Sequence, residues 1–164
     1  MGLFDKREKV DLNKASGTVF VMSLMTEGRM AKIELNGIEK NHELIVRCGY
    51  VFGLSIALLG TQIGMNNINT FINYAIKNAS AVLNPNSQKD IQEYEKYIRK
   101  ATNWILNESS KYGNNLFEEY AKVYLNDLYD GKEYPMDMLG IATQDMMFYY
   151  GNWQKFESGI KIVK

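Results

Sequence analysis

Residues Cys48 to Ile76 read CGYVFGLSIALLGTQIGMNNINTFINYAI, 29 positions without a charge in a chain of which 23% is charged. Gly49 and Gly53 form one G-x-x-x-G and Gly60 and Gly64 a second. At about 100° per residue the four glycines share roughly 60° of arc on a helix. Ala57 extends the same stripe. A face this smooth lets another backbone come close, and the opposite face, Val51, Leu54, Leu58 and Met65, is apolar. The spacing predicts one helix from Asn41, a capping residue with Glu43 in the first turn behind it, to about Gly64. With both faces apolar it should be buried on all sides, at the centre of the fold.

A charge-free run also raises the question of a membrane. Tyr50 to Leu59 is apolar apart from Gly53 and Ser55, about half of the roughly 20 residues a spanning helix needs. Extending it to Ile76 brings in Thr61, Gln62, Asn66, Asn67, Asn69, Thr70 and Asn73, which are costly in hydrocarbon unless paired. A core helix is the expectation, and a membrane is not an expected partner.

Working outward, Gly17 to Met25 is short, apolar and β-branched, and fits a buried strand or a helix equally. Ile33 and Leu35 alternate with polar residues before Asn36-Gly37, a type I′ turn dipeptide, and Ile38, so a minor N-terminal β-hairpin is an option. Downstream, Ile68, Phe71, Ile72, Ala75, Ile76, Ala79, Val82 and Leu83 keep helical 3-4 spacing up to Asn84-Pro85. Ser87 and Asp90 open a third helix through Ile91, Tyr94, Ile98, Ala101 and Ile105, closing by Gly113. A fourth runs from Asn115 through Leu116, Tyr120, Tyr124 and Leu128 to Gly131, and a fifth from near Pro135 to Gly151. Trp153 and Phe156 anchor a tail that ends in an apolar edge-strand pattern, Ile160 to Val163. Short connections make neighbouring helices antiparallel. The expected architecture is all-α, a single domain over residues 1–164 with about five helices around the glycine-striped one. Residues 1–16 would be an N-terminal extension and 152–164 a C-terminal tail.

At 164 residues the chain is large enough to bury a core without metal or disulfide staples. Nineteen basic and nineteen acidic residues leave no net field to gather nucleic acid. Only Arg7, Arg29, Arg47 and Arg99 carry the guanidinium that phosphate and guanine recognition favours, so nucleic acid is not an expected partner. A single cysteine, Cys48, rules out an internal disulfide and fits a reducing compartment; the expected location is cytoplasmic. The charged stretch Asp5 to Lys9 is not followed by a secretory apolar region, and Lys6 stands where myristoylation wants Ser or Thr. Heavy use of Asn, Lys and Ile over Arg reads as the coding bias of a low-GC bacterium or its phage.

Chemistry-bearing patterns are few. His42 is the lone histidine, and Glu39-x-x-His42 lacks the second motif that a di-iron bundle requires. Asp127 and Asp130 stand at i,i+3 among Glu118, Glu119, Glu133 and Asp137, in an order unlike a calcium loop. No nucleotide-binding glycine motif occurs, and neither a cofactor nor a metal is expected. Eleven tyrosines and nine methionines supply rings and adaptable chains suited to interfaces. The leading expectation is a non-enzymatic helical interaction or accessory protein, homo-oligomeric and with an unidentified protein partner. Its helix-packing or interface residues would be Gly49, Gly53, Ala57, Gly60 and Gly64. Asn66, Asn69, Asn73, Phe71, Tyr74, Trp104, Tyr120 and Tyr124 would form an interface or a pocket. The alternatives are a small-molecule or lipid-binding bundle, and a carboxylate-dependent enzyme centred on Asp127 and Asp130.

Overall fold

The charge-free run folds as two helices separated at Gly64. That residue takes φ 78° and ψ 139°, a conformation that favours glycine, and a short 3-10 turn follows it. The computed structural model describes residues 7–82 and 87–163. Among them the order is β1 (Glu8–Asp11), α1 (Leu12–Met25), α2 (Lys40–Ile63), α3 (Ile68–Val82), α4 (Gln88–Glu108), α5 (Leu116–Leu128), α6 (Met136–Gly159) and β2 (Ile160–Val163). The class is all-α with a minor two-stranded sheet.

α2 is the hub and packs on α1, α4, α5 and α6. Its approach to α4 is set by two glycines. A methyl on Gly49 would stand 2.6 Å from Tyr97 Cβ, and one on Gly53 would stand 2.5 Å from Ala101 Cβ. Around that contact Val51, Phe52, Leu54, Ile56 and Leu59 are buried, each worth about 1.5–3 kcal/mol on leaving water. Burial on all sides does not extend along the whole helix. Ala57 and Thr61 are exposed, and a methyl on Gly60 would meet only Ile56 Cγ2, at 3.7 Å. One face of the last turns of α2 therefore lies in solvent. Among the described residues α2 is the one helix long and apolar enough to cross a membrane, and most of it is buried by the other helices.

Gly17 to Met25 belongs to a helix, α1, whose buried face is Ala15, Ser16, Val19, Phe20 and Ser23. Asp11 caps it, accepting from Lys14 N at 2.7 Å. Its buried hydroxyls are satisfied by carbonyls: Ser16 Oγ donates to Phe71 O and Ser23 Oγ to Val19 O. The N-terminal hairpin does not form. Met30–Lys32 is a 3-10 turn, Gly37 (φ 77°) lies in an isolated turn closed by Ile38 N donating to Leu35 O, and no strand flanks it. Three apolar residues are too few to cover a sheet face, and α2 takes over at Lys40 before a second arm can extend.

The strands come from the two ends of the chain. β1 pairs with β2 in parallel, with Val10 opposite Ile162, so residues 8–16 are strand and helix rather than an extension. α6 passes Gly151 and runs to Gly159, which places Trp153 in the core with its Nε1–H donating to Val51 O at 2.9 Å. Gln62 joins the end of α2 to both neighbours. Its amide donates to Glu157 Oε1 at 2.7 Å, and its carbonyl accepts from Ile162 N at 3.0 Å. The expected close of α3 at Asn84-Pro85 lies outside the described residues.

Candidate functional site

The buried charges of the molecule hold its loops. Arg47, 3% exposed, donates from Nε to Glu43 Oε1 at 2.8 Å and from Nη1 to Thr26 O. Burial opposes the guanidinium charge, but the Glu43 carboxylate beside it outweighs that effect and leaves the pKa raised. Asp145, also 3% exposed, accepts from Arg29 N and Met30 N, each at 2.8 Å, and caps the 3-10 turn. Tyr149 OH accepts from Gly28 N at 2.9 Å. A methyl on Gly28 would lie 2.3 Å from Asp145 Cγ, so glycine alone fits beneath the carboxylate. Glu43, Arg47, Asp145 and Tyr149 thus strap residues 26–30 to α2 and α6. Sequence reasoning missed this group; its one signal was the Glu43–Arg47 i,i+4 spacing.

The residues singled out from sequence are dispersed. Gly49 and Gly53 are covered by α4, Ala57 and Gly60 lie toward solvent, and Gly64 ends α2. Phe71 is buried with its ring 5.6 Å from that of Phe52. Tyr120 OH donates to Tyr50 O at 2.7 Å, and the Tyr124 ring packs 5.5 Å from Tyr50. Trp104 touches Tyr120 at 5.2 Å and stacks on Tyr112 at 5.6 Å. Asn66 and Asn69 are exposed, Asn73 is exposed and accepts from Arg99 Nη2 at 3.0 Å, and Tyr74 is half-buried. Burial pushes the hydroxyls of Tyr120 and Tyr124 well above the ordinary tyrosine range and the Cys48 thiol to about 12, which keeps all three protonated at neutral pH.

Asp127 and Asp130 are separately engaged. Asp127 accepts from Tyr50 OH and from Lys100 Nζ, both at 2.6 Å. Asp130, at φ 52°, lies 3.9 Å from His42 Nε2. Among the described residues no three His, Cys, Asp or Glu side chains are grouped to hold a metal.

Two places on the surface of the described residues bear on function. A groove of about 780 Å³ runs between residues 34–39, the start of α4 and the end of α5. His42, Tyr97 and Asp130 line it together with charges of both signs, among them Glu93, Lys96 and Lys132. His42 Nε2 is buried there without a hydrogen-bond partner among the described residues.

The second is the outer face of α6. Met136 is 98% exposed, Met147 55% and Phe148 51%. With Gly140, Gln144, Gly151 and Lys155 they follow helical spacing along one side. A methyl on Gly140 or Gly151 would meet nothing within 4 Å. A hollow of about 400 Å³, lined by Leu116, Phe117, Thr143, Met147 and Tyr150, borders this face.

No family model, curated protein or solved structure matches this chain. What it does is therefore read from its own geometry.

Proposed function

We propose that this chain is a non-enzymatic interaction protein, working in the cytoplasm of a low-GC bacterium or its phage, whose contact surface is the outer face of α6. The carrying observation is the exposure of Met136, Met147 and Phe148 along one side of one helix. Water-exposed apolar surface is worth about 25 cal/mol per Å² to whatever buries it. Methionine adapts its shape to a partner, and a helix face with anchors at this spacing suits a helical contact. The glycine stripe of α2 is a poorer surface, because Gly49 and Gly53 are already covered by α4.

The test is photo-crosslinking in the cells that make the protein, with p-benzoylphenylalanine replacing Met147 or, as a control, the exposed Gln92 of α4. A discrete adduct from position 147 and not from 92 is expected. Equal or absent adducts at the two positions would remove the α6 surface.

A second reading has its own observation. His42 Nε2, which has no hydrogen-bond partner among the described residues and lies 3.9 Å from Asp130 in the charged groove, favours a small polar ligand over a lipid. Native mass spectrometry should then retain a discrete adduct that His42→Ala loses; a bare protein mass would dispose of it.

A further inference from the structure

We infer that residues 33–39 form a lid between the charged groove and a hollow behind it, and that opening the lid makes the two spaces a single ligand site. This rests on the groove being the polar-ligand site of the second reading, and it adds how far that site extends and how it is reached. Residues 34–39 are a shared wall. On one side lies the groove of about 780 Å³, and on the other a hollow of about 500 Å³ whose inner wall includes Met30 and Glu43, both buried. Lifting the segment joins the two spaces over the first turns of α2.

The segment is held far less firmly than the chain on either side of it. Before it, Tyr149 and Asp145 fix the backbone of residues 28–30 through three hydrogen bonds. After it, α2 begins at Lys40. Between them no residue from Ile33 to Glu39 is fully buried. The side chains of Glu34, Asn36 and Glu39 form no hydrogen bond or ion pair among the described residues. The amides that do bond reach only three residues back, Ile33 N to Met30 O at 3.3 Å and Ile38 N to Leu35 O at 3.2 Å. The anchors are Leu35 and Ile38, half-buried and packed against the core. Gly37, at φ 77°, sits between them in open space, where an added methyl would meet nothing within 4 Å. A segment with so few buried contacts and hydrogen bonds opens locally at a much lower cost than unfolding the helices around it.

The experiment follows oxidation of individual methionines by hydrogen peroxide in the full chain, read by mass spectrometry. Met30 and Met146 are buried alike, at 1% and 0% exposure, but of the two only Met30 lines the hollow behind the segment. In the wild type Met30 should oxidise at least about tenfold faster than Met146, which the reagent reaches only when the helices separate. Leu35→Ser removes one anchor and should speed Met30 by about a further tenfold, with the Met146 rate and the helical circular dichroism unchanged. Should that variant fail to fold, Ile38→Ser makes the same comparison, and the wild-type ratio needs no variant. Equal rates at Met30 and Met146 in the wild type would overturn the lid, and so would an anchor variant that speeds both methionines alike or neither. A bare mass in native spectra beside a fast Met30 removes the ligand and leaves the lid as a property of the fold. An adduct that His42→Ala loses, beside equal oxidation rates, removes the lid and leaves the ligand in the groove.

Discussion

A methyl group on Gly53 would stand 2.5 Å from the Cβ of Ala101 and 3.0 Å from that residue's carbonyl carbon. α2 and α4 meet there backbone against backbone. Gly53→Ala must push the helices apart and should cost about 1–3 kcal/mol. Gly60→Ala meets only a distant Ile56 methyl and should instead stabilise by up to about 1 kcal/mol through helix propensity. Urea unfolding midpoints of the two variants should move in opposite directions; the same direction for both would contradict the packing.

Asp145 accepts two backbone N–H groups from the loop before α2. Asp145→Ala leaves both without their carboxylate and should destabilise by about 2–4 kcal/mol. The amides of Arg29 and Met30 should also exchange with deuterium faster than those of α4. Unchanged protection at these two positions would show that the strap is not what orders the loop.

Arg47→Met should cost about 3–5 kcal/mol, because the Glu43 carboxylate is then left in a low-dielectric site without its partner. Adding Glu43→Gln should recover part of that loss, since a neutral amide is easier to bury. Thermal unfolding of the single and double variants checks this, and a double variant less stable than Arg47→Met would refute it.

Burial raises the pKa of Tyr50, Tyr94, Tyr97, Tyr120, Tyr124 and Tyr149, that of Tyr97 to about 12. For Tyr50 the hydrogen bond to Asp127 adds to the effect. In the unfolded chain these phenols ionise near pH 10. Above that pH the folded state holds more protons than the unfolded one, so their contribution is complete below about pH 10 and is lost as pH rises through the folded values. Of the eleven tyrosines, these six should gain tyrosinate absorbance only together with the loss of helical circular dichroism. Ionisation of more than five tyrosines with the helices intact would count against the burial of these hydroxyls.

Several helices were legible because their evidence is local. The 3-4 spacing of Ile68, Phe71, Ile72, Ala75 and Ala79, and of Tyr94, Ile98, Ala101 and Ile105, marks the buried stripes of α3 and α4. Ser87 caps α4 as its type suggests, accepting from Asp90 N. Gly17 to Met25 was ambiguous because a short apolar run suits either state; the contacts of α1 with α2 and α3 decide it. The α6 surface was obscured, since Met147 and Phe148 look like core residues until their neighbours are known to leave them uncovered.

By itself the sequence determined an all-α chain whose charge-free helix lies against other helices, since helix periodicity and the absence of charge are properties of a few consecutive turns. Tertiary structure alone decided which of the smooth positions are used. Gly49 and Gly53 meet α4, Gly60 faces outward and Gly64 serves as a terminus, although all four share one helical register. It also decided that Glu8–Asp11 pairs with Ile160–Val163 and that Asp145 reaches back to Arg29 and Met30. These contacts join residues more than 100 positions apart. Their energies depend on which surfaces the whole chain brings together, and no local spacing encodes that.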